Sequence, residues 1–179
     1  MRLFIAINFD EEAHQNILAV QQRLRELGMG NFSRPENLHL TLAFLGEVAS
    51  ERVDAICDAM NKTAVQPMTL TFDHVGRFKR DGGDLWWIGL AESRPLLSLQ
   101  KELSDRLADA GFRLDDRRFA PHITLAREVR LTALPDRGAL LGPAFSTQIN
   151  VVSLMRSERI SGKLIYTEQF SGGVKYREY

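Results

Sequence analysis

Cysteine is almost absent: Cys57 is the only one in 179 residues. A lone thiol excludes an intramolecular disulfide and a thiolate metal cluster. Its surroundings, Ala55-Ile56-Cys57-Asp58-Ala59-Met60, read as the buried side of a helix, so a small core residue is expected rather than a nucleophile. Net charge is missing too, with 23 Lys+Arg against 23 Asp+Glu. That balance argues against tracking along a duplex and favours a short or small anionic partner. No apolar run is long enough to span a bilayer. The longest N-terminal one, Leu3 to Phe9, is followed at once by Asp10-Glu11-Glu12, the wrong flank for a signal peptide. A cytoplasmic protein without membrane contact is expected. Neither a Gly-rich phosphate loop nor a G-x-S-x-G elbow occurs. Histidine is scarce as well, at four residues.

Two of those four sit in a repeated phrase: His39-Leu40-Thr41-Leu42-Ala43 and His122-Ile123-Thr124-Leu125-Ala126. The repeat is larger than the phrase. At the same offset of 83 residues (39 to 122), Phe4-Ile5-Ala6-Ile7 falls on Trp87-Ile88-Gly89-Leu90, Leu24 on Leu107 and Gly28 on Gly111. Each half, roughly 2–46 and 85–129, reads as an apolar strand, an amphipathic helix closed by Gly, a loop and a His-x-Thr strand. The offset is too long for a stacked solenoid. It predicts an α+β chain built as one bilobal domain over 1–179, with a pseudo-two-fold axis that brings the two His-x-Thr strands face to face.

The elements follow from local pattern. Ile17, Leu18, Leu24 and Leu27 mark a first helix, with 29–36 as a loop. Leu38, Leu40, Leu42 and Phe44 alternate against Asn37, His39, Thr41 and Ala43, which predicts a strand with the first set in the core. Ser50 opens a helix to about residue 64. Met68 to Phe78 and Leu85 to Leu90 flank the Asp81-Gly82-Gly83 turn as a hairpin. Leu96, Leu97, Leu99, Leu103 and Leu107 make the next helix, and 112–120 is a loop. Pro135, Gly138, Gly142 and Pro143 break the helix that symmetry would place after residue 130. Strands over 147–155 and 163–170 surround a 156–162 loop, and a polar tail begins at Ser171.

Histidine and threonine two apart on a strand share a face, about 6.8 Å from each other along it. A single histidine in such a place can be a hydrogen-bonded wall residue. Two at equivalent points of a duplicated unit, both opposite strand faces filled with Leu, Ile and Phe, point to chemistry. Imidazole exchanges protons near neutral pH, so one ring can act as general base while the other acts as general acid at a phosphate. Thr41 and Thr124 are then placed to donate to the non-bridging oxygens. Two histidines without a suitably spaced Cys, Asp or Glu make a poor metal set, so no metal and no other cofactor is expected. His14 and His74 read as structural or exposed. Arg127, which follows the second phrase, belongs to the core by strict alternation, and could stack on a base or neutralise phosphate only where the strand ends or bulges. Trp86, Trp87, Phe4 and Phe9 are candidate groove walls, with packing the commoner job for aromatics.

The double phrase, Asn37-Leu38-His39-Leu40-Thr41-Leu42-Ala43-Phe44-Leu45-Gly46 and Ala120-Pro121-His122-Ile123-Thr124-Leu125-Ala126-Arg127, resembles the two-histidine (2H) phosphoesterase superfamily. Within it the chain is most similar to the RNA 2′,3′-cyclic phosphodiesterases, also called 2′-5′ RNA ligases. The likeness runs from Arg2 to the hairpin at 157–166. It implies antiparallel sheets lining a central cleft with helices outside, and metal-independent hydrolysis of an RNA 2′,3′-cyclic phosphate to a 2′-phosphomonoester. By match to the motifs, His39 would be the proton donor and His122 the proton acceptor, with the roles reversed for 2′-5′ ligation. The partner would be an RNA end carrying a cyclic phosphate, and the working form a monomer. Two alternatives stay open: a small cyclic phosphate such as a cyclic nucleotide or an ADP-ribose cyclic phosphate, and a non-catalytic RNA-end binder.

Overall fold

The strand that carries the first phrase lies at a sheet edge, paired with the apolar N-terminal run. In the computed structural model, which describes residues 1–173, β1 (Arg2–Ile7) pairs antiparallel with β3 (Leu40–Glu47) on one side. On its other side lies β8 (Val151–Ile160), and β9 (Lys163–Gly173) completes a four-stranded sheet of order β3-β1-β8-β9. The second phrase belongs to β6 (His122–Leu131), in a separate five-stranded sheet of order β2-β6-β5-β4-β7. Its other strands are β2 (Gly28–Phe32), β4 (Met68–Phe78), β5 (Asp84–Leu90) and β7 (Phe145–Ile149). The α+β arrangement, with one sheet for each His-x-Thr strand, is as the repeat implies, and its antiparallel pairing is as the resemblance implies.

Helix α1 (Glu11–Arg25) starts where the acidic run is favourable to its dipole, and Asp10 caps it by accepting from the Ala13 amide at 2.8 Å. It buries Ala13, Ile17, Val20, Gln21 and Leu24. Although α1 follows a strand of the first sheet, it packs against β2 and β7 of the second. Conversely, α3 (Arg94–Asp109) follows β5 of the second sheet and packs on β3 of the first, beside α2 (Val53–Lys62). Each half thus lends its long helix to the other half's sheet. The exchange ties the two sheets through one core that includes Ile5, Ile17, Leu40, Phe72, Ile88, Leu103 and Ile123. Among the described residues no helix is long and apolar enough to cross a membrane.

Several expectations need correction. The first helix stops at Arg25, leaving Leu27 41% exposed, and Gly28 opens the edge strand β2 inside the expected 29–36 loop. Pairing with β6 makes that strand, which its Gly-rich sequence GMGNF does not advertise. Ser50 begins a 3-10 turn (Ser50–Arg52) before α2, rather than capping an α-helix. The stretch 147–155 is not one strand, because Asn150 separates β7 and β8, which lie in different sheets. The 156–162 loop shrinks to a tight turn with Ser161 and Gly162 at positive φ, and the hairpin continues on both sides. Cys57 is partly exposed rather than buried. The broken second connecting helix survives as the five-residue α4 (Arg137–Leu141). The polar tail lies outside the described residues beyond Gly173.

Candidate active site

Symmetry acts first on the backbone around each histidine. His39 Nδ1 lies 2.7 Å from the Asn37 carbonyl, and His122 Nδ1 lies 2.7 Å from the Ala120 carbonyl, the equivalent atom 83 residues on. A carbonyl only accepts, so each Nδ1 carries a hydrogen and each Nε2 is left to work. Asn37 is itself tied down, its side-chain amide donating to the Leu164 carbonyl of β9 at 3.0 Å. His39 stands one residue ahead of β3, whereas His122 begins β6.

Both strands then bulge at the same point. Ala43 and Thr41 stand opposite Ile5 and Ala6, which leaves Leu42 without a partner. Ala126 and Thr124 stand opposite Trp86 and Trp87, which leaves Leu125 without one. An unpaired residue inverts the alternation beyond it. Phe44 and Arg127 are therefore turned from the core, where strict alternation assigns both, into the cleft. For Arg127 this is the bulge its use required; for Phe44, which is 46% exposed, it corrects the core assignment. The two bulge carbonyls are taken by glutamines from the exchanged helices. Gln21 of α1 donates through Nε2 to the Leu125 carbonyl at 2.9 Å and to the Ser33 carbonyl at 2.7 Å. Gln100 of α3 donates to the Leu42 carbonyl at 3.3 Å. Sequence reasoning missed both glutamines, although a polar residue on the apolar stripe of a helix is a readable signal.

The result is a cleft of about 1150 Å³ between the sheets, lined by His39, Thr41, His122, Thr124 and Arg127 together. Arg2, Arg34, Arg156, Arg159 and Lys163 also line it, against only Glu47 and Glu158. A neutral chain has concentrated its positive charge at one place, which the composition could not reveal. Arg34 and Arg156 are neutralised by Glu36 and Glu158, whereas Arg2 and Arg127 have no carboxylate partner among the described residues. Burial raises the Tyr166 pKa, against smaller opposing effects of Arg127 and Arg2, and Tyr166 of the first sheet and Arg127 of the second line the same cleft. Among the described residues no three His, Cys, Asp or Glu side chains gather as a metal set. Of the candidate walls, Phe4 lines the cleft, Trp86 is buried, and Phe9 packs edge-on against Phe72 at 5.4 Å. His14 and His74 do not line the cleft.

The two imidazoles sit in different electrostatic settings. His39 is boxed by Phe4 at 4.8 Å and Tyr166 at 5.1 Å between ring centres, and its Nε2 lies 3.0 Å from the Thr41 hydroxyl. Burial lowers its pKa from the usual 6.5 to about 4, against a smaller opposing effect of the Asn37 carbonyl. His39 is thus neutral at pH 7, with the Thr41 hydroxyl donating to its Nε2. His122 touches Phe78 at 5.5 Å and Trp87 at 6.1 Å, and among the described residues the Thr124 hydroxyl makes no hydrogen bond.

The shift of His39 has a definite sign. Between pH 6.5 and 4 the unfolded chain binds a proton there that the folded chain refuses, so His39 costs stability as pH falls through that window and nothing above it. An anion in the cleft opposes this by favouring imidazolium. In an NMR titration, His39 is expected to stay neutral down to about pH 4 in the free protein and to titrate at higher pH with inorganic phosphate present. A titration unmoved by phosphate would contradict an anion site at His39.

Residues 10–160 match the model of the 2′-5′ RNA ligase superfamily. The RNA 2′,3′-cyclic phosphodiesterase of Archaeoglobus fulgidus is 34% identical over 73% of this chain and 74% of its own length. That of Escherichia coli K12 is 34% identical over 71% and 72%. The crystal structure of E. coli LigT complexed with 3′-AMP superposes with a TM-score of 0.80 at 29% identity, covering 98% of both chains. By the match over residues 10–160 and by these identities, the chain belongs to the 2′-5′ RNA ligase superfamily.

Proposed function

We propose that this protein hydrolyses 2′,3′-cyclic phosphate at RNA ends to a 2′-phosphomonoester, with His39 as proton donor and His122 as proton acceptor. The observation that carries the reading is the pair of imidazoles, each held by a carbonyl through Nδ1 and each lining one basic cleft with its threonine. Relatives named RNA 2′,3′-cyclic phosphodiesterase, and a solved relative complexed with 3′-AMP, support the substrate class.

The steps follow from the groups present. The cyclic phosphate enters with its charge near Arg127 and Arg2, which neutralise it without a carboxylate competing for them. That anion draws a proton onto His39 Nε2. The Thr41 hydroxyl, no longer needed to donate there, turns its hydrogen to a non-bridging oxygen, and Thr124 does the same from the opposite strand. His122 Nε2 takes a proton from water as the water oxygen bonds to phosphorus. The bond from phosphorus to O3′ breaks, and His39 passes its proton to O3′. One water is consumed and the 2′-phosphate remains. The site draws all of these groups from one chain, which supports the whole of 1–179 acting as one bilobal unit and as a monomer.

The assay is incubation of purified protein with an RNA ending in 2′,3′-cyclic phosphate, with and without EDTA. Ring opening unaffected by EDTA is expected. Tight binding of that RNA with no product would replace hydrolysis by end recognition.

A further inference from the structure

The open face of the second sheet continues past His122. On adjacent strands, His122 stands opposite Gly89, which stands opposite His74; Thr124 stands opposite Trp87, which stands opposite Gly76. Directly opposed residues share a face. The face that carries His122 and Thr124 therefore runs on across Trp87 and His74 to Phe78, two residues beyond Gly76. Glycine makes this possible, since a β-carbon at Gly76 would collide with the Trp87 ring and one at Gly89 with the His74 ring. Each ring thus lies across its neighbouring strand.

The rings form a continuous path leading away from the site. Phe78 meets His122 at 5.5 Å and Trp87 at 5.4 Å, and Trp87 meets His74 at 5.6 Å. Phe78 remains 36% exposed and the His74 side chain 51%, and neither they nor Trp87 line the cleft that holds the two histidines. The corresponding face of the first sheet is closed. There Phe4, which occupies the place of Trp87 in the other half, is buried with Ala6 and Met155 beneath Tyr166. The halves share their machinery and differ in this surface.

In-line displacement at phosphorus puts the nucleophile and the leaving oxygen on opposite sides. In the function proposed above, on which this inference rests, His39 serves the leaving ribose oxygen and His122 receives the nucleophile's proton. What lies beyond His122 therefore belongs to the nucleophile. Water makes no use of aromatic rings, whereas a nucleoside stacks its base on them. The turn after Phe78 adds exposed Lys79 and Arg80, suited to the phosphates of a chain attached to that nucleoside.

We propose that the surface of Phe78, Trp87 and His74 is an acceptor subsite, which holds the base of an RNA nucleoside whose 5′-hydroxyl replaces water. In that reaction O5′ bonds to phosphorus as the bond from phosphorus to O3′ breaks. The O5′ proton passes to His122 Nε2, and His39 gives a proton to O3′, so ligation keeps the proton roles of hydrolysis; the reversal expected from the resemblance belongs to cleavage of the 2′–5′ bond. The product is a 2′–5′ phosphodiester, with no redox change and no further reactant.

The test offers an RNA 2′,3′-cyclic phosphate together with a 5′-hydroxyl RNA dinucleotide, and measures the ratio of diester to 2′-phosphate as the dinucleotide is raised. Because the rings also touch His122, the ratio is read rather than either rate. In the wild type the ratio is expected to saturate. Phe78→Ala and Trp87→Leu are expected to lower it about tenfold, the effect of losing one base stack, while Trp87→Phe restores it. A wild-type ratio that never saturates, or no diester beside normal hydrolysis, would overturn the subsite alone. Equal loss of both products in Phe78→Ala would do the same, reducing the rings to supports for His122. Should Trp87→Leu fail to fold, Phe78→Ala and His74→Ala still decide the question by the same ratio. Absence of hydrolysis itself would remove the proposed function, and the subsite with it.

Discussion

His39→Ala and His122→Ala are each expected to lower turnover of an RNA 2′,3′-cyclic phosphate by about 10²–10⁴-fold, the span that general acid or base catalysis contributes. Loss of fold would not account for it. Neither side chain belongs to the buried core, and His122 stands at the first residue of its strand. The two substitutions should also fail to add. Once one partner in a concerted proton exchange is gone, removing the other costs little more. Steady-state kinetics of both single variants and the double variant, with thermal melts to verify folding, checks this. Near-normal turnover in either single variant would remove that histidine from the chemistry.

A second large effect is expected far from the phosphate. Gln21 is buried and donates to two backbone carbonyls, those of Ser33 and Leu125. Leucine has similar bulk and no donor. The Leu125 carbonyl keeps a second donor, the Ser33 amide at 2.9 Å, but the Ser33 carbonyl loses its partner. A carbonyl left unpaired costs up to about 1–3 kcal/mol, or roughly 2–12 °C of melting temperature in a chain of this size, with the lower end expected for the part-buried Ser33 carbonyl. Activity should fall as well, because the bulge at Leu125 is what turns Arg127 toward the cleft. The expected signature is a raised KM with a smaller change in kcat, together with the lowered Tm. A Tm loss with unchanged KM would separate the glutamine from the aim of Arg127.

The histidines and threonines were legible because a duplicated pattern survives in sequence: the same residue types, at the same offset, on strands whose other face is apolar. The elements α1, β4, β5 and α3 were legible for the ordinary reason that their apolar periods match their structure. What alternation alone could not supply was a break in alternation. Leu42 and Leu125 look like ordinary inward residues, so the outward turn of Phe44 and Arg127 became visible only from strand register. The strand β2 was hidden because its exposed residues, Met29 among them, owe their conformation to pairing with β6 rather than to burial. The exchange of α1 and α3 between sheets was hidden too, since an amphipathic stripe does not say which sheet it covers. Cleft charge escaped composition because Arg2, Arg34, Arg127, Arg156, Arg159 and Lys163 come from distant segments that only the fold collects.

The proton roles make the central claim testable by a single product. If His39 serves O3′ and His122 activates water, ring opening leaves phosphate on the 2′ oxygen. Phosphorus NMR of the product from an RNA 2′,3′-cyclic phosphate, compared with authentic 2′- and 3′-phosphate standards, reads this directly. The 2′-phosphate alone is the expected product. A 3′-phosphate product would contradict it, placing the leaving oxygen at O2′ and reversing how the two histidines share the work.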